Sequence, residues 1–242
     1  MEMENRQILP NISVDCVIFG YEGDKLKVLL RKEAIEYNGE ILQKYKLPGN
    51  HIYYDEKIED TASRILKEQT GAENIFMKQF KVFADLDRLK RCEADYQWIK
   101  RERGDARVLT IGFYALIKLT EKKAMRLMDV AEWLPINEVH DLIFDHDDIV
   151  KAALEQLQFD IEVQPLVFEL LPKKFTLSQL QTLYELILNR RFDKRNFRRK
   201  IAANMPYIVS LEEKQKNVCH KPAMLYGFDK RCYNKLKKER LK

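Results

Sequence analysis

Glycine is scarce, with 8 in 242 residues. No G-x-G-x-x-G and no G-x-x-x-x-G-K-[ST] run occurs, which excludes the common loops that cradle nucleotide phosphates in backbone N–H groups. Cysteine is scarce too. Cys16, Cys92, Cys219 and Cys232 are scattered with no C-x-x-C pair, so no disulfide framework is written into the chain. His51, His140, His146 and His220 show no H-E-x-x-H spacing. Cys219 and His220 adjoin, but the other ligands of a zinc site are missing. No apolar run approaches the ~18–20 residues of a membrane span, and MEMENRQILPN lacks the apolar stretch of a secretory signal. These absences predict a cytoplasmic protein in a reducing compartment, with no metal and no cofactor.

What is present is a foldable chain, 45% hydrophobic and 33% charged. Its length suits one large domain or two medium ones. The charge is unevenly placed. Residues 160–242 carry a net +10 and residues 1–159 a net −5. A mildly acidic body joined to a basic tail domain makes the tail the candidate for a polyanion partner.

Residues 12–20 are β-branched and apolar, the signal of a strand. A turn at 21–24 leads to its hairpin partner at 26–32, and 33–46 reads as a loop. The periodic stretch from Ile58 to Thr70, closed by Gly71, predicts a helix with a glycine cap. Further strands are expected at 80–86 and 107–119, with an extended charged surface loop at 88–105 between them. A short strand and turn follow at 131–139, then a capped amphipathic helix at 145–157. In the second half, Thr176 and Gln179 form a capping-box pair ahead of the stripe Leu177, Leu180, Leu183, Tyr184, Ile187 and Leu188. Asp193 caps a second, very basic helix. Two short strands, 207–211 and 222–228, flank a basic turn. Two helices and a hairpin in this order describe a winged helix-turn-helix.

The basic helix carries its own chemistry. Phe197 and Ile201 stand four apart and face inward, fixing which side meets solvent. Arginine pairs with guanine edges and asparagine with adenine edges in the major groove. Arg195, Asn196 and Arg199 are therefore the expected base readers, and Lys194, Arg198 and Lys200 the expected phosphate contacts. Lys214, Lys216, His220 and Lys221 in the turn of the wing can reach a neighbouring groove. The run Lys235–Lys242 reads as a solvated helix end.

Residues 47–72, L-P-G-N-H-I-Y-Y-D-E-K-I-E-D-T-A-S-R-I-L-K-E-Q-T-G-A, resemble the Nudix box, G-x5-E-x7-R-E-U-x-E-E-x-G-U. The resemblance implies that helix carboxylates hold magnesium against a pyrophosphate, a hard cation calling for oxygen donors. Glu56, Arg64, Leu66, Glu68 and Gly71 match the box, but Asn50 stands at its first Gly, Ile65 at the Glu after Arg and Gln69 at its last Glu. Glu56 typically pairs with the Arg in this family and braces the loop. One remaining carboxylate cannot assemble a polyphosphate-bound magnesium, so the domain is expected to be catalytically degenerate. Asp85, Asp87 or Asp105 could donate from loops in an active rival. Residues 168–185, 192–200 and 221–228 are similar to the winged helix of Nudix-related transcriptional regulators, the NrtR-like family. Within it the lost carboxylates and the extra 88–105 segment favour the arabinose-responsive AraR branch over the ADP-ribose-sensing one.

The reading as a whole is α+β: a Nudix-like α/β/α sandwich at 1–158 and a winged helix-turn-helix at 160–242. It implies a ligand-responsive, homodimeric transcriptional regulator that binds double-stranded operator DNA. The effector is L-arabinose in first place and an ADP-ribose-like molecule in second, with His51, Tyr53 and Glu68 as the expected ligand-binding residues and Tyr54 beside them. The rival is an active Nudix hydrolase of nucleoside diphosphate derivatives. An RNA-binding adaptor lacks the stacking strand or GXXG loop it would need.

Overall fold

Alternation along β1 (Ile8–Glu22) sets the architecture. Successive strand side chains point to opposite faces. Val14, Cys16 and Ile18 join one apolar cluster, and Val17, Phe19 and Tyr21 join another. Both faces of the sheet are covered, which is why the segment reads as a nearly unbroken apolar run. The computed structural model describes residues 6–22, 24–104, 107–119, 130–216 and 221–240. Cys219, His220 and Asp105 lie outside them.

In chain order β1 is followed by β2 (Lys25–Tyr37), β3 (Glu40–Lys46), β4 (Gly49–Tyr53), α1 (Ile58–Thr70), β5 (Phe76–Phe83), α2 (Glu93–Arg103), β6 (Leu109–Lys118), β7 (Ala131–Pro135) and α3 (His146–Val163). The strands form one seven-stranded sheet in the order β3-β2-β1-β6-β5, with β4 beside β1 and β7 beside β2. β1 and β6 run parallel from Ile12↔Leu109 to Tyr21↔Lys118; the other pairings are antiparallel. α1 lays Ala62, Ile65 and Leu66 on one face, and α3 lays Ile149, Ala153, Leu157 and Ile161 on the other. Gly71 ends α1 with φ 65°, the left-handed cap that favours glycine.

Two segments differ from expectation. Residues 33–46 are not a loop but continue β2 and return as β3, from Arg31↔Lys46 to Tyr37↔Glu40. The turn is Asn38-Gly39, with φ of 52° and 82°, the pair of positive angles that a two-residue hairpin demands. The segment 88–105 is not an extended surface loop. It contains α2, an eleven-residue helix tied down by Lys44 Nζ on Asp95 Oδ1 at 2.8 Å and by Trp98 stacked on Phe144. Its helicity rests on these tertiary contacts, because its own sequence is dominated by charge.

The second half builds α4 (Leu177–Leu188), α5 (Lys194–Asn204), β8 (Ile208–Lys214), β9 (Met224–Phe228) and α6 (Lys230–Arg240). The capping box of α4 is complete: Thr176 Oγ1 accepts from Gln179 N at 3.1 Å, and Thr176 N donates to Gln179 Oε1 at 2.9 Å. β8 and β9 pair antiparallel, and Phe175 bridges to Tyr226 beside them. α3 runs unbroken across residues 158–160. Leu180, Leu183 and Ile187 of α4 and Phe197 and Ile201 of α5 continue the apolar cluster that begins on the sheet. Gln158 Nε2 of α3 donates to Ile187 O of α4 at 2.8 Å. Among the described residues, no helix is long and apolar enough to cross a membrane.

Candidate nucleic-acid interface and effector cleft

Asp193 begins α5 by accepting from Asn196 N at 2.8 Å. Phe197 and Ile201 are buried, and Phe197 meets the rings of Tyr184 and Phe192 at centroid distances of 5.9 and 5.7 Å. With that face anchored, Lys194, Arg195, Asn196, Arg198, Arg199 and Lys200 are all exposed. Arg199 Nη2 donates to Asn196 Oδ1 at 3.1 Å, so these two expected readers sit side by side. Lys214, Lys216 and Lys221 are exposed at the end of the wing. The arrangement offers donors and positive charge on one convex element, the requirement for entering a major groove.

The Nudix-like loop is braced by one ion pair. Arg64 Nε lies 2.8 Å from Glu56 Oε1 and Nη2 lies 2.9 Å from Oε2, while Nη2 also donates to His51 O at 3.1 Å. Burial alone would raise the Glu56 pKa. Hydrogen bonds from Arg64 and Thr61 outweigh it and hold the carboxyl below its ordinary value. Tyr53 is packed between two guanidiniums, Arg6 at 4.0 Å and Arg64 at 4.5 Å from the ring centroid. Ile65 is buried in the core and Gln69 is buried as well; Glu68 is half-exposed and lies 3.4 Å from Arg64. These residues do not fit a polyphosphate-bound magnesium, since one position is apolar, one is neutral and the remaining carboxylate faces an arginine. Asp85 and Asp87 are exposed. Among the described residues no group of three or more His, Cys, Asp or Glu could hold a metal ion.

Beside the loop lies a cleft of about 190 Å³, between the middle of β1, β4, α2 with the segment entering it, and the N-terminus of α3. Asp15, His51, Arg88, Trp98, Phe144 and His146 are among its walls. Arg88 is buried and grips Asp145 through Nε at 2.9 Å and Nη2 at 2.8 Å. His146 Nδ1 accepts from Leu47 N at 2.9 Å, and burial lowers its pKa against the pull of Asp15 and Asp145. Because Nδ1 accepts this bond, the ring carries its proton on Nε2.

Of the ligand-binding residues expected from sequence, only His51 lines this cleft. Tyr53 is held by Arg6 and Arg64, Glu68 faces Arg64, and Tyr54 is exposed. Asp15, Arg88, Trp98 and His146 escaped sequence reasoning. A signal existed for Asp15, a lone carboxylate inside an apolar strand run. Arg88 was hidden among many charges.

A protein of Acinetobacter baylyi described as an ADPR responsive transcriptional repressor is 27% identical over 224 residues, 90% of this chain and 82% of that one. The crystal structure of Shewanella oneidensis NrtR complexed with a 27mer DNA superposes with a TM-score of 0.67 at 26% identity, covering 90% and 93% of the two chains. A second crystal structure of Shewanella oneidensis NrtR gives 0.68 at 25% identity, covering 92% and 94%. Fold and site together define a class, the Nudix-fold domain that carries a winged helix. The model of the NUDIX domain matches residues 9–155 and that of the NrtR DNA-binding winged helix domain matches residues 167–228. The chain belongs to the Nudix family, and it carries a C-terminal winged helix domain of the NrtR type.

Proposed function

We propose that the chain regulates transcription in the cytoplasm by binding operator DNA through residues 160–242, and that residues 1–158 sense a small molecule without hydrolysing it. One observation carries the reading: α5 is anchored by Phe197 and Ile201 and presents only polar and basic side chains between Lys194 and Lys200 to solvent. Arg195, Asn196 and Arg199 read base edges. Lys194, Arg198, Lys200 and the wing lysines Lys214, Lys216 and Lys221 hold phosphates. Two copies related by a two-fold axis place two such helices in successive major grooves.

The effector occupies the cleft. An ADP-ribose-type effector is supported by the Acinetobacter baylyi relative, whose description names that response. A free pentose, L-arabinose first, is supported by the cleft volume of about 190 Å³, below the ~300–1,000 Å³ of pockets for drug-sized ligands. α3 joins the two activities, since His146 lines the cleft and Gln158 holds α4. The effector acts only as far as it prefers one arrangement of these elements over another.

The test selects duplexes bound by the full chain from a random pool. A recurrent motif is expected, with its affinity changed by L-arabinose or ADP-ribose. Recovery of no motif at any salt concentration refutes the regulator reading.

A further inference from the structure

Asp15 presents a problem that the fold leaves unsolved. Its side chain is 9% exposed, at the floor of the cleft. The charged donors beside it are Arg88 Nη2 at 3.6 Å and His146 Nε2 at 3.8 Å from Oδ2, both beyond hydrogen-bond reach. Arg88 is turned instead onto Asp145. Among the described residues the carboxylate accepts no hydrogen bond, and the two longer ion pairs compensate its burial only in part. The chain makes deliberate room for it: a Cβ on Gly49 would stand 1.9 Å from Asp15 Oδ1.

We infer that the Asp15 carboxylate is the recognition group of the cleft and accepts two hydrogen bonds from a pair of adjacent hydroxyls on a pentose. This rests on the sensor reading above. The missing partner must donate, because carboxylate oxygens accept. Asp15 itself repels a phosphate or carboxylate, and the guanidinium of Arg88 disfavours an ammonium. A neutral hydroxyl pair satisfies all three groups, since each hydroxyl donates to Asp15 while its oxygen can accept from Arg88 or from His146 Nε2–H. Trp98, stacked on Phe144 at 6.0 Å, supplies an apolar wall for the C–H edges of the ring. Free L-arabinose and the terminal ribose of ADP-ribose share this hydroxyl pair, and the latter would leave its diphosphate outside the mouth.

The experiment is titration calorimetry on the full chain, wild type and Asp15→Asn, with L-arabinose and ADP-ribose as separate probes. At least one is expected to bind wild type, and its affinity is expected to fall tenfold or more in Asp15→Asn. Binding of L-arabinose alone assigns a free pentose; binding of ADP-ribose alone assigns a terminal ribose. Unchanged affinity in Asp15→Asn overturns the inference, as does binding of neither probe to wild type. If the variant fails to fold, deoxy analogues of the bound probe replace it on wild type. Loss of one of the adjacent hydroxyls should cost tenfold or more, and equal binding of every analogue overturns the inference. The two readings fail separately. If the sugar binds through Asp15 but leaves DNA affinity unmoved, the sensor reading falls. If Asp15→Asn binds the sugar and responds like wild type on DNA, only the Asp15 assignment falls.

Discussion

Truncating Phe197 to alanine should destabilise the reading helix and the core beneath it without removing a single group proposed to touch DNA. The ring is 7% exposed and packs against Tyr184 and Phe192 in the cluster that also holds the sheet and α3. Emptying such a site costs about 3–5 kcal/mol, as transfer and cavity terms add. Arg195→Ala on the exposed face should stay within about 0.5 kcal/mol of wild type. Urea unfolding separates the two. At an m value of roughly 3 kcal/mol/M, the Phe197→Ala midpoint falls by about 1–1.7 M while that of Arg195→Ala barely moves. A Phe197→Ala midpoint close to wild type, with a large loss in Arg195→Ala, would mean that the faces of α5 are exchanged and that the basic residues are not those offered to a groove.

With magnesium and ADP-ribose, no turnover is expected, because Ile65 and Gln69 stand buried where carboxylates are needed; hydrolysis at about 1 per second or faster that disappears in Glu68→Gln would contradict this. Lys200→Ala should weaken binding to cognate and random DNA alike and reduce the salt slope by about one, as a phosphate contact does; a loss confined to the cognate site would make it a base reader. The Glu56 carboxyl titrates below its ordinary value near 4.5, so its ion pair with Arg64 contributes stability that is present above that value and is lost as pH falls through the depressed one. Glu56→Gln should therefore lower the urea midpoint at pH 7, with the difference shrinking below pH 4; a difference independent of pH would show that the charge is not what matters.

The elements legible in the sequence were those with local signatures. Thr176 and Gln179 carry their hydrogen bonds three residues apart, and Gly71 supplies the left-handed cap of α1, so both helix ends could be read from neighbours alone. The β2–β3 hairpin also had a local signal, Asn38-Gly39, but the charged residues on either side of it masked the apolar pair Ile35 and Leu42 across the strands. α2 had no such signal. Its buried Ala94 and Asp95 and its half-buried Trp98 find partners on β3 and next to α3, far along the chain. The cleft was illegible for the same reason. Asp15, Arg88 and His146 come from a strand, the segment before a helix and a helix start, and only the fold brings Arg88 and His146 within 4 Å of Asp15. Expectations placed on Tyr53 and Glu68 followed proximity in sequence to the degenerate box, whereas both are engaged by arginines.

The DNA motif selected by the chain when Arg195, Asn196 and Arg199 are replaced together by alanine tests most directly whether α5 reads the operator. These side chains are exposed and anchor nothing in the core, so the variant should unfold at the wild-type midpoint. It should still bind duplex DNA through its remaining lysines and arginines, at an affinity that falls steeply with salt, and the motif enriched by wild type should vanish. Enrichment of the same motif by the triple variant would contradict the claim that α5 reads the operator and would move the reading to the wing.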